Sequence, residues 1–395
     1  MLHLAERIRR SLGQGRRFGT MSVVVTLGGM ALSQIFLAAP AGAAVEQIPG
    51  IAFISGIACA SHTRCVGVGQ QGTAPLNPKT GALASGQTVQ SIPGVVLNGV
   101  ACPSATQCLA VGESSSASDG VAVPVNPMTG AISTGATVQQ FSGDLFLSVA
   151  CTSSTQCVAV GFNGARLGLA AALDPKTGQV SPGQSVQVIA GTGGAGLQGV
   201  ACPRTSRCVA VGENSNSSAG VSVPIDPVTG AVSRGQSARD VTTKGVLFGI
   251  GCPSATQCLA VGWAADGPAV AVPLNPVTGN VSAGQHDHSI RGPGRPDYLI
   301  LDGVACSSSA QCVAVGNTAE DPSTGESVPL SPVTGKISTG QIVQVLSGTS
   351  TLDTSVCPTA GRCLAGGSYA PAGAGVVVPV KPGTGTPVNH SPQKT

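Results

Sequence analysis

Short apolar runs alternate with polar, Gly- and Pro-rich turns along this chain, and no stretch keeps the 3.6-residue spacing of a helix face. In one stretch the runs fall at Leu97–Cys102, Cys108–Gly112, Val121–Val125 and Ala131–Phe141, which predicts four short strands. The same text returns downstream. Gly99 to Gly112 reads Gly-Val-Ala-Cys-Pro-Ser-Ala-Thr-Gln-Cys-Leu-Ala-Val-Gly, and Gly249 to Gly262 repeats it with two changes. A second element, Pro-x-Thr-Gly, starts at Pro78, Pro127, Pro175, Pro227, Pro276, Pro332 and Pro382, after Asn77, Asn126, Asp174, Asp226, Asn275, Ser331 and Lys381. An Asx residue that bonds the backbone, a Pro that fixes φ and a Gly at positive φ predict a turn between strands three and four. A third element, Ser-x-Gly-Gln, as at Ser181–Gln184, opens an alternating stretch assigned to the fourth strand.

All 14 cysteines fall in C-x5-C pairs: Cys59 with Cys65, Cys102 with Cys108, Cys151 with Cys157, Cys202 with Cys208, Cys252 with Cys258, Cys306 with Cys312, and Cys357 with Cys363. Successive pairs start 43 to 54 residues apart. Four strands per repeat of this length make a propeller blade, so the expected fold is an all-β, seven-bladed β-propeller with four antiparallel strands per blade. A parallel solenoid of hairpins is the alternative. The two ends decide between them. The last repeat has no Ser-x-Gly-Gln after Pro382–Gly385, whereas Ala44–Gly50 (Ala-Val-Glu-Gln-Ile-Pro-Gly) matches Thr88–Gly94 (Thr-Val-Gln-Ser-Ile-Pro-Gly). The N-terminal strand is therefore expected to complete the seventh blade and close the ring, whereas a solenoid would cap its ends.

Arg7, Arg9, Arg10, Arg16 and Arg17 precede an uncharged stretch, Met21 to Ala39, and Ala41-Gly42-Ala43 offers small residues for cleavage. This predicts an export signal over 1–43, a propeller over 44–385 and a polar tail over 386–395. A retained membrane anchor is the other reading of the same stretch. In an exported chain the cysteine pairs read as one disulfide within each blade, because facing residues of an antiparallel hairpin sit within disulfide reach. Zinc sites favour C-x2-C spacing, and the histidines do not recur with the pairs. Net charge is +3 with only 9% charged residues, scattered along the chain, which excludes a basic nucleic-acid-binding face. We expect no cofactor, no metal, no nucleic acid, no membrane contact after cleavage, and a monomer.

In a propeller, the links between strands one and two and between three and four share one face. Here that face carries the cysteine turns and the Pro-x-Thr-Gly turns and is nearly uniform. The other face differs in every repeat. After the second strands it carries Glu113, Phe162, Arg166, Glu213, Trp263 and Asn317, and its inter-blade links carry Asp144, Lys244, Arg291, Arg295, Asp297 and Tyr298. Tyr369 lies in the last two–three link. Aromatic and Arg side chains anchor binding sites, so Glu113, Phe162, Arg166, Glu213, Trp263, Arg295, Tyr298 and Tyr369 are the candidate ligand-binding residues, set against ordinary solvated loops. No catalytic residue is expected.

His286-Asp287-His288 puts two imidazoles on one strand face, where they either share a metal or protect an edge strand. Glu113 and Glu213 could act as an acid/base pair, yet they sit two blades apart. The repeat Val-Ala-Cys-Pro-Ser-x-Thr-Gln-Cys-x-Ala-Val-Gly resembles secreted repeat proteins of actinobacteria over residues 45–385, a group that implies no defined activity. More loosely, the blade layout is similar to sialidase-like BNR-repeat propellers and photosystem II assembly-factor-like propellers. Those carry an Asp-box turn, Ser-x-Asp-x-Gly-x-x-Trp, where this chain has Asn-Pro-x-Thr-Gly. The sialidase arginine triad is not recognisable either, so that activity does not carry over. The expectation is a secreted, non-catalytic binding or scaffold propeller for an extracellular glycan or protein. The alternatives are a polysaccharide hydrolase or lyase on the same scaffold, and a purely structural cell-envelope protein.

Overall fold

The structure, a computed structural model, describes residues 45–116, 119–292, 299–318, 323–369 and 373–388. The chain divides into Met1–Gly42 and Ala43–Thr395, and the described residues belong to the second unit. The segment read as an export signal, Arg295 and Tyr298, and residues 389–395 of the tail lie outside them. Among the described residues no helix is long and apolar enough to cross a membrane.

Antiparallel strands form six sheets, five of four strands and one of six. Numbering the repeats one to seven by their cysteine pairs, the six-stranded sheet holds repeats one and two. In repeat one a single strand, Arg64–Leu76, replaces the separate second and third strands, and Gln90–Ser104 runs from the outer edge of repeat one into the inner strand of repeat two. The innermost strands of all seven repeats neighbour one another in a closed cycle, the last (Thr351–Thr359) lying against the first (Ile54–Ser61). Seven apolar clusters fill the seams, one between each adjacent pair of repeats, including repeats seven and one. The fold is an all-β propeller, and its seven disulfides suggest seven blades.

Closure follows the N-terminal expectation. Glu46–Ile48 pairs antiparallel with Ala374–Val380 and completes the sheet of repeat seven, with Ile48 fully buried in the last seam.

The cysteines bond within their own repeats, as the spacing predicts. Cys59 joins Cys65, Cys102 joins Cys108, Cys151 joins Cys157, and Cys202 joins Cys208. Cys252 joins Cys258, Cys306 joins Cys312, and Cys357 joins Cys363, which leaves no free thiol. The two halves of each bond differ in burial. Cys65, Cys108, Cys157, Cys208, Cys258, Cys312 and Cys363 are buried, one in each seam core, while their partners are partly buried at the edge. Each disulfide therefore pins the end of an inner hairpin to a seam. The paired Cα atoms lie 3.8 to 4.0 Å apart, tighter than the roughly 4.5 Å of a regular pair. The hairpins are irregular at this point, as the register shifts beside Cys59 and Cys306 show.

Sheets buried on both faces explain the small aliphatic composition. In repeat two, every residue of Gly120–Val125 is buried. The recurring glycine near the end of each second strand has a steric cause. A Cβ on Gly112 would lie 2.0 Å from the carbonyl oxygen of Val96, and Gly69, Gly161, Gly212, Gly262, Gly316 and Gly367 meet the inner strand at 1.8 to 2.0 Å. The inner strand bulges there in every repeat, as between Leu97 and Gly99, which pushes a carbonyl at its neighbour.

One expectation needs correction. The fourth strand is not continuous. After the turn, Ile132 makes only an isolated bridge to Val125, and the chain then turns again, Ala136 N–H donating to Ser133 O at 2.9 Å. The outer strand proper is Gln139–Phe141. The Ser-x-Gly-Gln element, Ser-Thr-Gly-Ala in this repeat, is thus a second tight turn, with Gly135 at φ 79° here and Gly183 at φ 76° in repeat three, not the start of a strand.

Candidate functional site

The uniform face is built as a clasp. In each Pro-x-Thr-Gly turn that follows Asn or Asp, the Asx side chain accepts an N–H two residues on, as Asn126 Oδ1 does from Met128 at 2.8 Å, and Gly130 N–H closes onto Asn126 O at 2.8 Å. The neighbouring repeat then reaches into this turn. Gln107, beside Cys108, donates to Pro175 O at 3.0 Å; Gln257 donates to Pro332 O at 2.9 Å; Arg207 donates to Val277 O at 3.2 Å. Thr73 Oγ1 donates to Gly130 O at 2.5 Å and Ser327 Oγ to Gly385 O at 2.6 Å, again across a seam. Arg362 donates to Lys79 O, so the clasp also spans the closing seam. This face is occupied with holding the ring.

The opposite face has no such regularity. Among the described residues the non-glycine positions with left-handed φ are Gln71 (62°), Arg166 (61°) and Ser218 (54°); Arg166 and Ser218 lie in links between second and third strands on this face, and Gln71 lies within the continuous strand of repeat one. At the seam between repeats three and four, three of the candidate residues come together. Asn163 Oδ1 accepts the N–H groups of Ala165 at 3.1 Å and Leu167 at 3.0 Å. That holds the short link so that the Arg166 guanidinium sits 5.9 Å from the centre of the Phe162 ring, within cation–π range. From repeat four, Glu213 lies 9% exposed and accepts the N–H of Ala195 at 2.7 Å. The connecting segment Gly191–Gly196 lies against both. A Cβ on Gly194 would come 2.6 Å from Glu213 Oε2, and one on Gly196 2.6 Å from Phe162 Cβ, so this segment is glycine for close approach. Burial pushes the Glu213 carboxyl up, opposed by the Ala195 N–H and by the positive charge of Arg166.

The remaining candidates stay apart. Glu113 is the last residue but one of the second strand of repeat two, Trp263 ends that of repeat five, and Tyr369 that of repeat seven; each is half-buried. The imagined Glu113/Glu213 pair belongs to non-adjacent repeats, and the Glu213 carboxylate is committed to the loop beneath it. The rings of His286 and His288 lie 4.1 Å apart centre to centre, although only His288 belongs to the outer strand, His288–Ile290. His288 packs under the turn of repeat six, where its Cδ2 would be 3.2 Å from a Cβ on Gly335. Among the described residues no group of three or more His, Cys, Asp or Glu could hold a metal ion.

One carboxylate was missed by looking for chemistry in the loops. Glu326 lies inside the third strand of repeat six, 1% exposed, where the other four-strand repeats place Val121, Leu169, Val221, Val270 and Val376. Aligning the repeats strand by strand would have exposed it. Burial pushes its carboxyl from near 4.5 up to about 7. Between those two values the folded chain keeps a proton that the unfolded chain releases, so this group makes stability fall as pH rises from about 4.5, levelling off above about 7. Glu326→Val is therefore expected to stabilise by ~2 kcal/mol more at pH 8 than at pH 4.5, after discounting for solvent screening. Urea unfolding at both pH values checks this, and an equal gain at both would mean that the carboxyl titrates normally.

No family model matches the chain, and no curated protein matches it. Solved structures do. The chain is similar to the WD40 β-propeller domain of Doa1, with TM-score 0.54 and 10% identity over 82% of this chain and 92% of that one. It is similar to the hydrazine synthase of Kuenenia stuttgartiensis, with TM-score 0.60 and 9% identity over 84% and 96%. It is also similar to YCF48 bound to a D1 peptide, with TM-score 0.50 and 12% identity over 84% and 95%. What they share is the propeller fold. At these identities the likeness carries no activity. The seven disulfides of this propeller point to an oxidising environment.

Proposed function

We propose that the chain is a secreted, seven-bladed, non-catalytic binding module whose ligand, an extracellular glycan or protein, docks on the variable face. One observation carries this reading. At the seven equivalent positions after the recurring glycine of the second strands stand Gln70, Glu113, Phe162, Glu213, Trp263, Asn317 and Ser368, while the opposite face carries backbone-directed clasps at six of the seams. A scaffold kept only for its shape has no need of such contrast between two faces of the same strands. Export is supported by the basic and apolar N-terminal text and by the disulfides; a monomer is proposed because the ring closes on itself. A catalytic reading through Glu113 and Glu213 has less support, since Glu213 holds a backbone N–H. YCF48, a propeller of similar fold, is bound to a peptide, so peptides belong in the test beside glycans.

The test is a screen of the oxidised protein against cell-wall and host glycans and peptide arrays, with a mass readout for cleavage. Binding without cleavage, weakened at least tenfold by Arg166→Ala or Trp263→Ala, is the expected result. Cleavage of any substrate overturns the non-catalytic reading, and binding unmoved by changes on the variable face overturns the choice of face.

A further inference from the structure

The seam between repeats five and six differs from the others at its variable-face end. Glu326 precedes Val328 by two residues on one strand, and Val328 belongs to the core of this seam. Side chains two apart on a strand share a face, so the Glu326 side chain enters the same seam. It stands opposite Gly316 and Val345 in the register. From the other side, Trp263 follows Val261 by two residues, and Val261 lies in the same core. By the same alternation the Trp263 side chain is on the face of its strand that turns toward this seam. Glu326 Oε2 is buried and has no hydrogen-bond partner among the described residues. It lies under Gly292, where a Cβ would come within 3.3 Å of Oε2 and 3.6 Å of Oε1. A side chain at this position would crowd the carboxylate.

We propose that this seam end is a recognition site for a primary ammonium group, with Glu326 as its counter-ion and Trp263 as its aromatic wall. The proposal rests on the binding-module reading and names the ligand chemistry of one site on the variable face. A buried carboxyl without a partner gains most from a cation that brings its own hydrogen-bond donors, and an ammonium supplies three. The indole face attracts the same charge. Amino sugars and lysine side chains share this group. Among the described residues, the charged or titratable groups on the elements packed around this seam are Arg291 on the connecting segment, His288 on the outer strand of repeat five and Asp302 on the inner strand of repeat six. None of them contributes to the raised pKa of Glu326, which comes from burial. The site needs the ionised carboxylate, so ammonium binding tightens as pH rises through about 7 and releases a proton below it.

Trp263 is the only tryptophan in the chain, so its fluorescence reports on this site alone. The oxidised protein is titrated with a glucosamine trimer and with trilysine, and with the N-acetylated form of each, at pH 7.5 and pH 5.5. The expected result is a saturable fluorescence change with at least one free amine, at least tenfold weaker at pH 5.5, and none with the acetylated probes. Glu326→Gln keeps the shape and removes the charge. It should fold with unchanged or higher melting temperature and lose the response at least tenfold. Which amine responds tells a glycan source from a peptide source. Equal responses in Glu326→Gln, equal responses at both pH values, or silence with both amines would each overturn the ammonium site. A response to the acetylated probes would overturn it while leaving the binding module standing; silence in the wider glycan and peptide screen as well would remove both.

Discussion

Full reduction of the oxidised protein is expected to unfold it. Each disulfide closes a small loop, with a sequence separation of 6 between its cysteines. In the chain-entropy account such a loop contributes about 2 kcal/mol by restricting the unfolded chain. Seven separate loops together contribute on the order of 15 kcal/mol, which equals the upper end of the whole stability of an ordinary domain. The burial of this chain cannot easily replace that, because its seams are filled with Val, Ala and Leu and hold few aromatic rings. Circular dichroism with and without a thiol reductant gives the answer, and retention of the native spectrum after complete reduction would show that the staples are redundant. Replacing one pair, Cys202→Ser with Cys208→Ser, should cost only about 2 kcal/mol in urea unfolding, because the other six loops remain.

Deletion of residues 45–48 is expected to have the next largest effect. Three register pairs join Glu46–Ile48 to the strand Ala374–Val380, and Gly375 N–H donates to Ile51 O at 2.7 Å just beyond. Removing Ile48 takes a fully buried side chain from the closing seam, worth roughly 3 kcal/mol, and the lost ladder adds about 1 kcal/mol per bond. A loss on the order of 5 kcal/mol follows, read as a large drop in melting temperature. The sheet of repeat seven would also be left with a bare edge, so the truncated chain should associate through it in size-exclusion chromatography. An unchanged melting temperature would show that the ring does not depend on this strand.

The repeats were legible because every blade is written in nearly the same words. So were the disulfides, since each C-x5-C pair spans one hairpin turn, as Cys306 and Cys312 do. The closing strand was legible too, because Val45–Gly50 matches the text at Val89–Gly94. The fourth strand was misplaced because alternating residues continue through Ser133–Ala136, while a backbone turn there interrupts the pairing. The clasps escaped notice for a different reason. Gln107 and Gln257 recur beside cysteine, but their partners Pro175 and Pro332 lie in the next repeat, and nothing local marks the contact. The meeting of Phe162, Arg166 and Glu213 has the same character. Residue types suggested each one singly, whereas their grouping depends on which link of one blade faces which connection of the next. Glu326 was hidden inside an apolar strand, where a search of loops does not look.

The closing strand also imposes an order of events on synthesis. Glu46–Ile48 is made before any repeat exists, yet its partner Ala374–Val380 is made after six repeats are complete. The first strand must therefore wait, unpaired, for nearly the whole chain. A nascent chain halted before that point keeps one apolar seam open to solvent, with Ile48, Ile51 and Ile54 uncovered on one lip. Quality control needs no recognition of a missing sequence in such a protein, because an unfinished ring exposes an adhesive surface that a finished ring hides.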